Sequence, residues 1–380
     1  MKQTSRIIST YSADVFGVCS ALFELGGMVI MHDASGCNST YTTHDEPRWY
    51  DMESMVYISG LSEMEAILGD DEKLIGDIAA AAEDLHPKFI AIAGTPIPAM
   101  TGFDYQAVAE LIYQRTGIPA FGFPTTGMNT YVHGASMALE TLARQFVSRD
   151  ARKTDEPSAN ILGLTPLDYS INGSDTAIVR FLEDAGYTVL SRWAMGSSLE
   201  EIARAGSAHV NLVVSATGLA AAKVLWERFG TPYVVGVPIG ERFSARLRDT
   251  LDAAVKTCEN QLPASSLAGT DIVIIGEGVT SCSLASAIEL TTQKGVRVVC
   301  PTECPGSVLR DKDRMVSCEE EIAAELAQAN MVIADPLFRP ICPEGVRFVE
   351  LPVEAFSGRI FREQIPNLIT DFSRFVKDVL

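Results

Sequence analysis

The first residue whose setting suggests chemistry is a cysteine that follows an apolar run. The segment His32-Asp33-Ala34-Ser35-Gly36-Cys37-Asn38 comes directly after the apolar residues 27–31. A cysteine that ends a strand and opens a helix has its thiolate stabilised by the helix dipole, and thiolate is the form that ligates iron. A buried, unreactive thiol explains Cys37 equally well at this point, because one cysteine cannot hold a cluster alone.

A second group of reactive residue types follows within a few positions, in Thr43-His44-Asp45-Glu46-Pro47-Arg48-Trp49. Side chains of these types transfer protons in enzymes, so His44, Glu46 and Arg48 are our candidate catalytic residues. Arginine and tryptophan are also common in protein interfaces, and interface packing remains the alternative for this segment.

The last third of the chain carries two further motifs. Gly276-Glu277-Gly278-Val279-Thr280-Ser281 is an incomplete dinucleotide fingerprint, with Ser281 at the position of the third glycine and Glu303 roughly where a ribose-binding acid would lie. A nucleotide-dependent enzyme is therefore one alternative. Cys300 and Cys304 are the only closely spaced cysteines and suggest either a structural or a redox-sensitive pair. Because there is no phosphate-binding loop with a lysine, we do not expect this chain to hydrolyse ATP.

Composition narrows the class of protein. The 380 residues are 47% apolar and 21% charged, which is typical of a globular protein of two or three domains. The net charge of −19 argues against nucleic acid and anionic membranes as partners. No apolar run is long enough to span a membrane and the first residues do not form a secretory signal, so we predict a cytoplasmic protein.

Short apolar runs alternate with helical patterns along the whole chain. One helix is predicted over residues 71–85, where Leu74, Ile75, Ile78, Ala82 and Leu85 recur at helical spacing. Strands are predicted at 27–31, 55–58, 89–93, 120–123, 160–163, 188–190, 210–215, 233–237, 271–276, 296–300, 331–335 and 347–351. Strand–helix alternation predicts an α/β protein with parallel sheets.

Two polar or flexible stretches, at 150–158 and 261–270, divide the chain. We therefore expect three Rossmann-like domains around a central cleft. They comprise 1–155, which carries Cys37, then 156–265, and then 266–380 with a C-terminal helix. Gly-, Thr- and Ser-rich loops follow the predicted strands, and ligands of such sheets bind at the carboxyl ends of strands.

The order of these motifs resembles nitrogenase component 1, its β subunit more than its α subunit. Met31-His32-Asp33-Ala34-Ser35-Gly36-Cys37 is similar to the family's strand followed by His-Gly-x-x-Gly-Cys. Asn160-Ile-Leu-Gly-Leu, Gly196-Ser-Ser-Leu-Glu-Glu-Ile202 and Leu267-Ala-Gly-Thr-Asp-Ile-Val-Ile-Ile275 follow the family's later elements in the same order. The resemblance spans most of the chain.

The resemblance implies an iron–sulfur cluster with Cys37 as metal ligand and with Asp33, Gly36 and Thr95 in the cofactor-binding loops. The family's other cysteines would fall near Ser12 and near Thr95 or Pro96, so this chain lacks them. The remaining ligands are then expected from a partner subunit, or from Asp33 as an oxygen ligand, as in the light-independent protochlorophyllide reductases. A further metallocofactor in the cleft is left open.

The same resemblance implies a subunit of an ATP-dependent reductase that takes electrons from a separate iron protein and passes them to a small molecule. The partner would be a homologous component 1 subunit, or a second copy of this chain. The cysteine and histidine that hold nitrogenase's catalytic cofactor have no clear counterpart, so we do not expect dinitrogen to be the substrate. The alternative is a scaffold that binds a tetrapyrrole or a metallocluster without turnover.

Overall fold

A computed structural model describes residues 6, 7, 9, 12–41, 45–263, 265–327 and 329–379, and of Cys37 the backbone alone. Three all-parallel sheets follow one another along the chain. The first contains β1 (Met28–His32), β2 (Met55–Ile58), β3 (Ile90–Gly94) and β4 (Ala120–Phe123). The second contains β5 (Ser158–Leu162), β6 (Thr188–Arg192), β7 (Val210–Val213) and β8 (Tyr233–Val235). The third contains β9 (Ile272–Ile275), β10 (Val296–Cys300), β11 (Arg314–Met315), β12 (Met331–Ala334) and β13 (Arg347–Glu350).

Helices connect the parallel strands, as crossover connections require. Around the first sheet they are α1 (Asp14–Leu22), α2 (Cys37–Thr40), α3 (Glu63–Leu68), α4 (Asp71–Leu85), α5 (Pro96–Thr101), α6 (Tyr105–Thr116) and α7 (Tyr131–Gln145). Around the second they are α8 (Pro166–Tyr169), α9 (Ser174–Asp184), α10 (Leu199–Ala203), α11 (Leu219–Phe229) and α12 (Glu241–Thr257). The last four are α13 (Gly278–Thr292), α14 (Glu319–Leu326), α15 (Glu354–Ser357) and α16 (Leu368–Val379). None of these described helices is both long and apolar enough to cross a membrane.

The predicted α/β class with parallel sheets is confirmed, and each predicted strand coincides with an observed one to within about two residues at its ends. The predicted helix over 71–85 is also confirmed, with one difference in its buried face. Leu85 is exposed, because the helix ends there and His86 takes a left-handed conformation that turns the chain away. One sheet lies in each predicted domain, while the domain boundaries themselves stay predictions.

Two helices lie unusually close in the core of the first sheet. A Cβ atom on Gly17 of α1 would meet the carbonyl oxygen of Tyr131 at 2.0 Å, and one on Gly134 of α7 would meet the carbonyl oxygen of Asp14 at 1.8 Å. Glycine at both positions therefore lets the two backbones touch. This contact fixes the start of α7 against the start of α1 and, with them, the loop that precedes α7.

The strand order determines where each sheet opens a crevice. The orders are β2-β1-β3-β4, β6-β5-β7-β8 and β11-β10-β9-β12-β13. In each sheet the chain winds outward in both directions from one pair of neighbouring strands, and at such a switch point the two following loops diverge. The pairs are β1 and β3, β5 and β7, and β9 and β12. The C-terminal helix α16 packs against α9 of the second sheet.

Candidate functional site

The loops that follow β1 and β3 meet at the switch point of the first sheet through one carboxylate. Asp33, directly after β1, accepts a hydrogen bond at Oδ1 from Oγ1 of Thr95, which follows β3, at 2.9 Å. Its Oδ2 accepts from Nδ2 of Asn38 at 2.7 Å. Asp33 and Thr95 are both buried. Two of the predicted cofactor-binding residues are therefore in contact, and Asp33 ties both loops to the start of α2.

His32, the last residue of β1, is held from two sides beneath this loop. Its Nδ1 lies 2.9 Å from Oγ of Ser59, and its ring packs on Phe103 with centroids 4.4 Å apart. Burial lowers the pKa of His32 to about 4, although Asp33 and Glu65 act in the opposite direction. The imidazole is therefore neutral near pH 7 and adds no positive charge beside Cys37.

The residues between Asp33 and Cys37 form an exposed turn. Ser35 and Gly36 have φ angles of 93° and 97°, and with ψ at −124° Gly36 adopts a conformation that is essentially reserved for glycine. A Cβ atom on Gly36 would meet, apart from its two neighbours in the chain, no atom of the described residues within 4 Å. The backbone of Cys37 then begins α2. Because α2 has only four residues, its dipole is weaker than the sequence argument assumed.

An exposed apolar surface lies on the helices that follow the neighbouring strands. It is made of two short helices, α3 and α5, which pack against each other, and of one residue after β4. Its members are Met64, Ile67, Leu68, Ile97, Met100 and Met128, which are between 42% and 86% exposed. Sequence reasoning missed this apolar surface, although its methionine content is typical of interface cores.

Glu46 and Arg48, two of the predicted catalytic residues, form a buried ion pair. Nε of Arg48 lies 2.7 Å from Oε1 of Glu46, and its two terminal nitrogens donate to Glu24 and to the carbonyl oxygens of Ser20 and Ala194. Burial opposes the charge of Arg48, but Glu46 and Glu24 more than compensate, so the pKa of Arg48 lies above its ordinary value.

These contacts join the first sheet to the segment after β6 and leave neither side chain exposed to a substrate. The geometry therefore explains Glu46 and Arg48 as structural residues, and their catalytic role stays a prediction that these contacts do not favour. His44 and the side chain of Cys37 lie outside the described residues. Among the side chains that are described, no three of the types His, Cys, Asp and Glu are grouped to hold a metal ion.

A second polar centre, which the sequence did not reveal, lies where the three sheets meet. Tyr131 at the start of α7 donates its hydroxyl to Oδ1 of Asp168 in α8, and Oγ1 of Thr165 donates to Oδ2 at 2.8 Å. Burial raises the pKa of Asp168 to about 7, with a further contribution from the carboxylate of Glu277 after β9. Burial also raises the pKa of Glu277. We call the cluster of Tyr131, Thr165, Asp168 and Glu277 the junction.

The dinucleotide-like motif at residues 276–281 forms part of the junction, and its backbone nitrogens bind the carboxylate of Glu277. Oε1 of Glu277 accepts hydrogen bonds from the backbone nitrogens of Ala216 and Val279 at 2.9 and 3.0 Å, and Oε2 accepts from Thr280 at 2.8 Å. The carboxylate thus occupies the start of α13, where a pyrophosphate would bind. Glu303 accepts from the backbone nitrogen of Thr130 at 2.9 Å and is not directed at a ribose. Both acids argue against the nucleotide-dependent alternative.

The chain is similar in sequence to known proteins. A family model described as nitrogenase component 1 type oxidoreductase matches residues 14–294. A light-independent protochlorophyllide reductase subunit from Prosthecochloris aestuarii is 28% identical over 174 residues, or 45% of this chain and 32% of that protein. The nitrogenase iron-molybdenum cofactor biosynthesis protein NifE from Rippkaea orientalis is 26% identical over 283 residues, or 71% of this chain and 56% of that protein. The chain therefore spans only part of the length of these relatives.

The fold is also shared with solved structures. The solved structure titled "Nitrogenase Cp1 at pH 6.5" superposes with a TM-score of 0.70 at 16% identity, covering 100% of this chain and 94% of that one. A second, "Nitrogenase Cp1 at pH 5", gives a TM-score of 0.68 at 17% identity. At this identity the superposition establishes the fold alone. The sequence match covers most of the chain, however, and the chain therefore belongs to the nitrogenase component 1 type oxidoreductase family.

Proposed function

We propose that this chain is one subunit of an ATP-dependent, nitrogenase-like reductase that accepts electrons from a separate iron protein and passes them to a small molecule other than dinitrogen. One observation carries the proposal. The exposed turn that leads into Cys37 lies at the switch point of the first sheet and is flanked by the helices of the apolar surface. Exposed apolar side chains beside such a turn mark a surface that a partner can cover.

The donor set fits part of an iron–sulfur cluster and not a whole one. At the positions that match the family's cluster cysteines, this sequence has a cysteine only at Cys37, with Ser12 and Thr95 at or near the other two. Iron–sulfur clusters usually need four protein ligands. The fit is therefore to a cluster shared with a partner, which would supply the remaining ligands and cover the turn.

The residues of this chain would hold and shield that shared site. Asp33 fixes the loops after β1 and β3 relative to each other, with both carboxylate oxygens already accepting hydrogen bonds. Gly36 provides the exposed turn that leads into the backbone of Cys37. The neutral His32 adds no charge beneath it. When bound, an iron–sulfur cluster supplies one-electron transfer at a potential set by charge, hydrogen bonds to sulfur and solvent exposure.

The partner in this proposal is a homologous component 1 subunit, with a second copy of this chain as the alternative. Burial of the apolar surface would drive the association, because these side chains contribute about 25 cal/mol per Å² removed from water. The relatives named as reductase subunits and as a nitrogenase cofactor biosynthesis protein are consistent with such assemblies. The cytoplasmic location stays a prediction.

The test is anaerobic co-purification of the full chain with each candidate partner, comparing wild type, Cys37→Ala and Cys258→Ala. Cys258 is exposed and ends α12 beside the second sheet, so its replacement is the matched control. We expect iron content and the cluster's paramagnetic resonance signal to be lost in Cys37→Ala and retained in the control. A complex that keeps its full iron content without Cys37 would overturn the proposed ligand.

A scaffold function is the second candidate, and two observations favour it. A relative that matches 71% of this chain is named for cofactor biosynthesis, and the junction between the sheets is filled by hydrogen-bonded side chains. A scaffold would bind a tetrapyrrole or metallocluster stably but show no turnover with iron protein and ATP. A reductase would turn over under the same conditions.

A further inference from the structure

Two cysteines that the proposed function does not use share one small space beside the junction. The position that a Cβ atom would take on Gly278 lies 2.3 Å from Sγ of Cys304 and 3.6 Å from Sγ of Cys300. The absence of a side chain at Gly278 therefore creates the room in which both sulfur atoms lie. Cys300 ends β10, and Cys304 belongs to the loop that leaves this strand at its carboxyl end.

The two thiols are chemically unequal. Hydrogen bonding from Cys304 lowers the pKa of Cys300, and Thr302 lies within hydrogen-bond distance of the same sulfur. The same interaction with Cys300 raises the pKa of Cys304, which retains the proton. Cys282 lies nearby, but its thiol is 3.5 Å from Oδ2 of Asp313, and burial raises its pKa well above the ordinary value. The reactive pair is therefore Cys300 with Cys304.

Cys304 can be reached from outside the molecule. It is 7% exposed and lines a cavity of about 510 Å³ between α7, α11 and the loop after β10, whereas Cys300 is fully buried behind it. The walls of the cavity carry both signs of charge, from Arg144 and Lys223 and from Glu140, Glu227 and Glu303, so a zwitterionic thiol compound would find partners for both of its charges. A small oxidant can thus meet Cys304 first and Cys300 second.

We propose that Cys300 and Cys304 form a reversible dithiol–disulfide site that a low-molecular-weight disulfide oxidises through this cavity. The Cys304 sulfur attacks the small disulfide, passes its proton to Cys300 and releases one small thiolate, which is protonated by solvent. The Cys300 sulfur then attacks the mixed disulfide at Cys304, and its proton leaves with the second small thiol. In total the thiol–thiolate pair gives up one proton and two electrons, solvent supplies the second proton, and the small disulfide is reduced to two thiols.

Oxidation at this site would act on the contact between the third and first sheets. Glu303 lies between the two cysteines, and its carboxylate accepts hydrogen bonds from the backbone nitrogen and hydroxyl of Thr130. Thr130 immediately precedes Tyr131, which pairs with Asp168 in the junction. Closing a ring over residues 300–304 changes the course of this loop, and the Glu303–Thr130 link is the contact that loosens.

The site can be tested on the full, pre-reduced chain in glutathione buffers of increasing oxidation, followed by alkylation and tryptic mass spectrometry. Cleavage after Arg297 and Arg310 releases both cysteines on one peptide that contains no other cysteine. We expect this peptide to become lighter by two hydrogens and unlabelled, and to regain two labels after reduction. Cys300→Ser and Cys304→Ser should each abolish the change, whereas Cys318→Ser should leave it intact.

Three outcomes would overturn the proposal. In the first, the peptide that carries Cys300 and Cys304 stays doubly alkylated while the exposed Cys258 is modified by glutathione. In the second, Cys304 forms a mixed disulfide with glutathione that Cys300 does not resolve. In the third, a disulfide links this peptide to the peptide that carries Cys282. The link to the first sheet has its own readout, hydrogen exchange at the amide of Thr130. Faster exchange in the oxidised chain supports the coupling, and equal exchange in both forms excludes it. Neither result depends on a cluster at Cys37.

Discussion

Two strand-to-helix turns of this chain combine a carboxylate, a glycine and cysteine, yet they differ in what surrounds them. After β1, Asp33 and Gly36 precede Cys37 at an exposed turn. After β9, Glu277 and Gly278 lie against Cys304, and the whole group is buried. The same supersecondary unit therefore produces an open edge in one sheet and a closed joint in another.

The difference lies in which donors each carboxylate meets. Asp33 accepts from the side chains of Asn38 and Thr95 in the loops and helix that follow strands of one sheet, so it organises one edge of that sheet. Glu277 accepts from backbone nitrogens of both the second and the third sheet, so it closes a space between them. The exposed turn after β1 is accessible to a ligand shared with a partner. The buried group around Glu277 connects two sheets, so a local change there can affect both. Substitutions on each side can test this contrast.

Replacing Glu277 by alanine should have the largest effect on stability. The substitution leaves the backbone nitrogens of Ala216, Val279 and Thr280 without their acceptor in a buried place. We expect the free energy of unfolding to fall by about 3 kcal/mol, since each buried unsatisfied donor is costly. Urea denaturation of the variant and of Glu344→Ala, an exposed loop control, measures the difference. A loss equal to that of the control would show that water replaces the carboxylate and that the joint is open.

The junction should also make stability depend on pH. The pKa of Asp168 is raised from 3.8 to about 7, so its folded state prefers the protonated form. Protonated Asp168 therefore contributes fully to the free energy of unfolding below pH 4. This contribution is lost as the pH rises toward 7, by at most about 1.4 kcal/mol per pH unit. We expect Asp168→Asn to reduce this fall between pH 4 and 7 in urea denaturation, while Glu277, whose pKa is also raised, supplies the remainder. A variant that keeps the wild-type slope would assign the pH dependence to other groups.

The two glycines should respond differently to alanine. Gly278→Ala places a Cβ atom 2.3 Å from Sγ of Cys304, so we expect a loss of about 2 kcal/mol that disappears in a Cys304→Ala background. Gly36→Ala meets no neighbour and loses stability through its backbone conformation, by about 1 kcal/mol. A double-mutant cycle in urea separates the cases. If Gly278→Ala loses as much stability in the Cys304→Ala background as in the wild type, the loss does not come from a clash with the Cys304 side chain.

The fold could be predicted from the sequence because buried parallel strands are nearly continuous apolar runs. All four residues of β7, β9 and β12 are buried, and each run was recognised. The strand that sequence reasoning missed, β11, has two exposed residues and carries no apolar signal. Its pairing with β10 is determined by the neighbouring strand and not by its own sequence.

The candidate sites were predicted less completely, because their contacts join distant parts of the chain. Thr130 and Glu303 are 173 positions apart, and no local spacing indicates that they meet. Glu46 and Arg48 have the residue types of a catalytic pair, but whether a charged side chain faces solvent or the interior depends on the packing around it. Met64, Ile67 and Leu68 have the spacing of a buried helix face, yet they are exposed because α3 lies at the edge of the fold.

A charge on the apolar surface should have the smallest effect on the isolated chain and a large effect on assembly. Met100 is 86% exposed, so Met100→Glu removes almost no burial, and we expect its free energy of unfolding to stay within about 0.5 kcal/mol of wild type. A glutamate at the centre of a subunit contact, in contrast, must lose its hydration on association. Sedimentation of the chain with its candidate partner, or with itself, should therefore show weaker association.

The control for this experiment is Ile360→Glu, which introduces the same charge at a side chain that is 75% exposed and belongs to the C-terminal part of the chain. Because that position is remote from α3 and α5 in the sequence and lies outside the apolar surface, association should be unchanged. Equal weakening by both substitutions would point to net charge rather than to a contact. Weakening by Met100→Glu alone, with unchanged stability, would identify the apolar surface as the one that a partner covers, because both positions are mostly exposed in the isolated chain and only a contact made in the complex distinguishes them.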